Sequence, residues 1–308
     1  MKFKGKNFLT LFDFDKEALN SLIDFAIKLK QENKAGKEHH ILKNKTLIMI
    51  FAKPSLRTRV SFEVGIRQLG GNAVALKQDE INLGVRETIA DTARVLARYA
   101  DGVMIRTFDH EDVVEFAKFS DIPIINALTD LCHPCQVLAD LVTIKEKFGD
   151  FKGIKLTYAG DGNNMAYSLL AGCSIMGMNV SIVCPNEYEP DLSCFWKCKD
   201  ISINSGSKIE VITDPAEAVK GANIVYTDVW ASMGQEEEAK ARKKIFMPYQ
   251  VNETLLKNAA DEAIALHCLP AHRGEEITEA VFEKHANIIF EQAENRLHAQ
   301  KAIMASVM

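Results

Sequence analysis

Residues 51–70 read FAKPSLRTRVSFEVGIRQLG, and the way this stretch divides decides the fold. It grows out of a short apolar run, Lys45 to Ala52 (KTLIMIFA), bounded by charge on one side and Pro54 on the other. That length and its isoleucines suit a buried strand better than a helix. Beyond the proline, Val60, Glu63, Val64 and Arg67 follow helical spacing, and Phe62, Ile66 and Leu69 add an apolar face. Ser55 stands where an N-cap belongs, its hydroxyl able to satisfy an orphan amide. Arg57, Thr58 and Arg59 then fall in the first turn, where cations are unfavourable unless something negative answers them. Strand, tight turn and helix start therefore predict a site for a small, doubly charged anion such as a phosphate. The plainer alternative is a solvated basic turn. A nucleotide P-loop is excluded, because its glycines and Gly-Lys-Ser/Thr ending are absent.

Working outward, an amphipathic helix is expected over Asp15–Lys30, a charged loop over Lys34–His40 and strands at Ala73–Lys77, Gly102–Arg106 and Pro123–Asn126. Helices at Glu87–Tyr99 and His110–Phe119 alternate with them, and a long helix follows His133-Pro134 through Val137, Leu141, Ile144 and Phe148. A second alternation brings strands at Ile154–Ala159, Asn179–Val183, Ile209–Ile212, Asn223–Thr227 and Glu262–Leu266. Between them helices are expected at Met165–Met176, Ala216–Lys220, Gln235–Lys244 and Asn252–Asn258, with a last one from about Glu291 to Val307. Strands alternating with helices twice over predict an α/β chain of two domains, each a mostly parallel sheet flanked by helices. Ligands of such sheets sit beyond the carboxyl ends of the strands. Arg106, His133, Asp161, Asp228 and His267 all closely follow expected strands.

Bulk properties narrow the function. The 308 residues are 47% hydrophobic and 26% charged, enough for a full core, and the formal net charge of -5 gives no sign of a polyanionic partner such as nucleic acid. The opening MKFKGKNFLT has no apolar signal core, and no apolar run is long enough for a membrane span. With seven cysteines, an odd number, a reducing, cytoplasmic setting is expected.

Other constellations carry chemistry of their own. Asp130 to Gln136 reads DLCHPCQ, whose Cys132 and Cys135 could be half of a zinc site with Cys194 and Cys198, or a redox pair. Alternatively, His133 and Gln136 hold a carbonyl oxygen and an amide at a helix start. Gly160-Asp161-Gly162-Asn163-Asn164-Met165 opens a helix after a strand like a dinucleotide fingerprint, but Met165 replaces its third glycine. Its asparagines could bind a carboxylate or simply cap the helix. Asp228 to Gly234 (DVWASMG) and His267 to Glu276 (HCLPAHRGEE) each end a strand with polar groups, and Cys268 stands at the second tip.

Taken in order, these segments resemble the aspartate/ornithine carbamoyltransferase family over essentially the whole chain. The opening stretch resembles its F-x-x-P-S-T-R-T-R motif, CHPCQ its H-P-x-Q motif, and ETIADTARVLARYADGVMIR the segment ending in its arginine. GDGNN, DVWASMG, HCLPAHRGEEI and FEQAENRLH resemble the ornithine-using rather than the aspartate-using members. The resemblance implies a carbamoyl-phosphate domain of residues 1–134, with the C-terminal helix 291–308 returning to it, and an ornithine domain of residues 135–290. It implies that Ser55, Leu56 through its backbone, Arg57, Thr58 and Arg106 hold the phosphate. His133, with Arg106 and Thr58, polarises the carbamoyl oxygen, while Gln136 and the Leu269 carbonyl hold the carbamoyl nitrogen. Asn82, Cys268 and Arg296 complete that site, with Arg106, His133, Asp228 and Cys268 as the catalytic group. Asn164, Asp228, Ser232 and Met233 grip the ornithine head. No cofactor and no metal are implied; the partners are carbamoyl phosphate, L-ornithine and further copies in a trimer or a multiple of trimers. The chain departs from the pattern twice: Leu56 replaces a threonine, and Asn82 a glutamine. Transfer to another amine and a dinucleotide-dependent oxidoreductase are the competing activities, and an anion-binding regulatory module is the non-catalytic one.

Overall fold

The computed structural model describes residues 3–81, 83–231 and 238–308. The chain forms two compact units, Met1–Val142 with Asn295–Met308, and Thr143–Glu294.

In the first unit, strands β1 (Thr46–Phe51), β2 (Asn72–Lys77), β3 (Gly102–Arg106) and β4 (Ile124–Leu128) make a parallel sheet in the order β2-β1-β3-β4. Central β1 and β3 are buried nearly throughout, which is why they read as continuous apolar runs, whereas edge strand β2 is half exposed. Ile48, Ile50, Val103 and Ile105 pack with Ile89, Ala93, Val113 and Phe116 from the flanking helices. Helix Leu56–Gln68 follows β1, its start capped by the Ser55 hydroxyl, which accepts from the Thr58 amide at 3.2 Å. Gly65, in its second half, allows a close approach: a Cβ there would stand 3.1 Å from Met304 Cε and 3.2 Å from Lys301 Cγ. Both contacts come from the C-terminal helix, which returns to this unit.

The second unit holds β5 (Lys155–Ala159), β6 (Asn179–Val183), β7 (Ile209–Ile212), β8 (Ile224–Thr227) and β9 (Ile264–His267), parallel, in the order β7-β6-β5-β8-β9. Ala159, Val183, Val225 and Ala265 pack against Ile277, Val281, Phe282 and Ile289. In each sheet the strand order reverses beside the first strand, between β1 and β3 and between β5 and β8. That reversal opens a crevice at the carboxyl ends, the ligand position of doubly wound sheets.

Three helical regions depart from the sequence expectation, the first being the short helix Gln78–Ile81, in a stretch expected to be a loop. Helix Leu192–Ser205 was not foreseen; Asp191 caps it through the Cys194 amide, left-handed Gly206 ends it, and Cys194 and Cys198 bury its inner face. The last helix begins at Glu279, not near Glu291, and Val281, Phe282, His285 and Ile289 form its buried side. Elsewhere the differences are at ends: the helix expected over Asn252–Asn258 is only Glu253–Leu256, and that over Gln235–Lys244 appears as Ala239–Phe246, with 235–237 outside the described residues.

Candidate active site

The first unit gathers cations at its switch point. Arg106 is the last residue of β3, and the Ala52 amide donates to its carbonyl at 2.8 Å, so the ends of β1 and β3 are registered against each other. Arg296, from the C-terminal helix, donates through Nη2 to the Thr58 hydroxyl at 2.8 Å; Thr58, Arg106 and Arg296 are all buried. Burial lowers Arg106 to about 10, and the charges of Arg296 and Arg57 press it the same way. The buried Arg106 Nε has no partner among the described residues. Three mutually repelling guanidiniums, two of them buried, are a poor arrangement on their own and a good one around an anion. Leu56 is exposed and offers only its amide, while Arg59 turns away toward Glu63 at 3.8 Å.

His133 and Gln136 start the helix Pro134–Phe148 and are both buried. Burial, then Arg296 and Arg106, hold His133 well below the usual imidazole range, so it is neutral. Gln136 donates from Nε2 to buried Asp140 at 2.9 Å. Its Oε1 is buried and has no partner among the described residues, leaving an acceptor open. Asp140 went unnoticed in the sequence, although its place four residues on from Gln136 along a helix signalled the contact.

The C-x-x-C thiols play a different part. Cys135 donates to the Asn126 carbonyl at 3.3 Å and Cys132 to that of Leu9 at 3.7 Å. Burial pushes both thiols up to about 12. Cys194, buried in the second unit, likewise donates to the Tyr167 carbonyl at 3.7 Å. These are core thiols hydrogen-bonded to backbone, and none of them is in a disulfide.

In the second unit, Asp228 follows β8 and Cys268 follows β9, neighbours in the sheet. The Cys268 thiol donates to Asp228 Oδ1 at 3.0 Å. Asn164 is the first residue of the helix Asn164–Met176, half exposed beyond β5, while Asn163 caps that helix through the Met165 amide at 2.9 Å. Gly162 is a packing glycine: a Cβ would meet Pro190 N at 2.3 Å and Glu189 C at 2.4 Å. The backbone of residues 188–190 thus lies where a dinucleotide fingerprint would admit its pyrophosphate. Asp161 is engaged by Arg242, whose Nε also donates to the Trp230 carbonyl at 2.5 Å. Leu269 holds a left-handed φ of 62°, and beneath it His267 and Glu276 are fully buried partners at 2.9 Å. Ser232, Met233 and Asn82 lie outside the described residues.

Asp228, His267 and Cys268 also bring possible metal-ligand atoms within 4.8 Å of one another. However, His267 Nδ1 accepts the Leu269 amide at 2.8 Å and Nε2 faces Glu276, so both ring nitrogens are already committed.

A doubly wound α/β protein with a cluster of cations at one switch point and a thiol–carboxylate pair beside the other is the class this geometry defines. The profile of the aspartate/ornithine carbamoyltransferase carbamoyl-P binding domain matches residues 6–146, and that of the Asp/Orn binding domain matches residues 152–307. The chain belongs to the aspartate/ornithine carbamoyltransferase family. It is 53% identical over 304 residues to an ornithine carbamoyltransferase of Thermococcus kodakarensis, covering 99% of this chain and 96% of that one. Identity to that of Oceanobacillus iheyensis is 55% over 305 residues, covering 99% and 95%. The solved structure of ornithine carbamoyltransferase from Pyrococcus furiosus superposes with a TM-score of 0.97 at 50% identity, covering 99% of this chain and 97% of that one.

Proposed function

We propose that this chain transfers the carbamoyl group of carbamoyl phosphate to the δ-amine of L-ornithine, giving L-citrulline and phosphate. The observation that carries the reading is the cation set around Thr58, buried Arg106 and Arg296 with half-buried Arg57, in a chain about half identical along its whole length to ornithine carbamoyltransferases. The unit Met1–Val142 with Asn295–Met308 takes carbamoyl phosphate, and Thr143–Glu294 takes ornithine.

In this reading the Ser55–Thr58 turn, with the Leu56 amide, Arg57 and Arg106, binds the phosphate. Neutral His133, Arg106 and Thr58 donate to the carbamoyl oxygen, where charge grows as the amine adds. Gln136 Oε1, set by Asp140, accepts from the carbamoyl nitrogen together with the Leu269 carbonyl. The amine nitrogen bonds to the carbonyl carbon, and the bond from that carbon to the phosphate oxygen breaks. Phosphate departs with that bond's electron pair, its charge met by Arg57 and Arg296, taking the proton that the amine nitrogen releases after it adds. An alkylamine has a pKa of about 10.4 and must shed a proton before attack. Asp228 and Cys268, with Asn164, Ser232 and Met233 on the amino-acid head, orient it. Holding both substrates in near-attack geometry contributes much of the rate. The enzyme works in the cytoplasm as a trimer or a multiple of trimers, with Asn82 serving the carbamoyl-phosphate site; no helix among the described residues is long and apolar enough to cross a membrane.

Purified protein given carbamoyl phosphate and L-ornithine should form citrulline and phosphate in equal amounts. Putrescine or L-lysine should be poor substitutes, since the first lacks the carboxylate and the second is longer. Absence of citrulline would overturn the assignment, and faster turnover of putrescine would move it to a sister carbamoyltransferase.

A further inference from the structure

We infer that Glu276 is a positioning residue, holding the loop that presents Cys268 and Leu269 by fixing the tautomer of His267. The loop needs a holder, because Leu269 sits at φ 62°, a left-handed conformation that is strained for any residue with a side chain. Its amide donates to His267 Nδ1 at 2.8 Å. An amide N–H can only donate, so Nδ1 carries the lone pair and the ring proton is on Nε2. That proton goes to Glu276 Oε1 at 2.9 Å. The same oxygen accepts the His272 amide at 2.6 Å, so one buried carboxylate oxygen ties down both ends of residues 267–272. The base of the loop is fixed from behind: the His267 amide donates to Gln292 Oε1 at 3.1 Å, and Gln292 Nε2 donates to the Tyr226 hydroxyl at 3.0 Å.

His267 and Glu276 are closed off from solvent, so neither touches substrate. Their effect runs through the backbone: remove the acceptor at Glu276, and His267 can flip or change tautomer, which takes away the acceptor for Leu269. Cys268 and the Leu269 carbonyl then lose their aim. The inference rests on the reading of Cys268 and Leu269 as site residues, and one arm of the test is independent of it.

The variants are Glu276→Leu, which fills the space without an acceptor, and Glu276→Gln, which keeps an oxygen. In Glu276→Leu, kcat for citrulline formation should fall by about 100-fold, the scale of an ångström of misplacement. Inorganic phosphate affinity, read by calorimetry, should stay within about threefold because the cation set is in the other unit. Glu276→Gln should recover most of kcat. Iodoacetamide labelling of Cys268, followed without substrates, should change severalfold in Glu276→Leu and little in Glu276→Gln. Native kcat and native labelling in folded Glu276→Leu would overturn the inference, as would parallel losses of kcat and phosphate binding. If native protein makes no citrulline, the activity assignment fails while the labelling arm still decides the positioning role. If Glu276→Leu does not fold, ring 15N NMR of native protein decides: His267, identified by its loss in His267→Gln, should show Nε2–H with a bare Nδ1. An Nδ1–H ring or an imidazolium would refute the role.

Discussion

Arg296 donates to the Thr58 hydroxyl at 2.8 Å across 238 positions of sequence. The contact brings the C-terminal helix to the first turn of Leu56–Gln68, where burial, then the charges of Arg296 and Arg57, depress Arg106. Cations in such a cluster are held by packing, and an anion relieves their repulsion. Carbamoyl phosphate should therefore stabilise the first unit as well as bind to it.

Arg57 lies in the turn proposed to bind the phosphate and is half-buried. Arg57→Gly should weaken carbamoyl-phosphate binding by about 100-fold, as expected for losing one or two hydrogen bonds to a charged group. Calorimetry on the folded variant checks it, and unchanged affinity would remove the anion site from this turn.

Cys132 and Cys135 are buried thiols that burial pushes up to about 12, so they should be inert at neutral pH. Cys132→Ser with Cys135→Ser should keep most of the activity, whereas His133→Ala should lose about 100-fold through an absent donor to the carbamoyl oxygen. Metal analysis should find no stoichiometric zinc. One zinc per chain, lost in the double variant, would contradict this reading.

Lys301 is fully buried in the C-terminal helix, donating to Gln68 Oε1 at 2.9 Å, and burial lowers it to about 8. Its unfolded value is about 10.4, so between the two the unfolded chain binds the proton and the folded chain does not. Stability from this group thus rises as pH climbs from about 8 toward 10.4, and below 8 the cost of the buried charge is complete, about 3 kcal/mol. Lys301→Met removes that cost, so its advantage over the native chain in denaturant unfolding should shrink between pH 7 and pH 10. An equal difference at both pH values would show that Lys301 does not titrate in this window.

A shared active site is the last expectation, motivated by the polar stretch Gln78 to Glu87 (QDEINLGVRE) after β2, which opens with the short helix Gln78–Ile81. One chain carrying Arg57→Gly and another with residues 80–85 replaced by a Gly-Ser linker should each be nearly inactive at carbamoyl phosphate concentrations that are limiting for the Arg57→Gly chain. Mixed under subunit exchange, they should regain activity, because some hybrid sites pair an intact turn with an intact loop. Hybrids that form without activity would assign the loop to its own subunit.

What could be read without coordinates was local. The strand into Phe51, the Ser55 cap and the arginine turn lie within a dozen residues, where period, capping and charge act directly. The parallel strands were legible as apolar runs for the same reason. Helix Leu192–Ser205 escaped because its buried face is made by cysteines rather than by a run of aliphatic residues, although Asp191 and Gly206 marked both ends. The start of the last helix was lost behind HCLPAHRGEE, despite the helical spacing of Val281, Phe282, His285 and Ile289. Family motifs named Asp228 and Cys268 as residues, but their 3.0 Å contact exists because β8 and β9 are neighbours in the sheet. His267 with Glu276 and Thr58 with Arg296 are likewise products of tertiary packing. No propensity or spacing encodes which polar group another meets when both are taken out of water; burial makes each find a partner, and the fold decides which one.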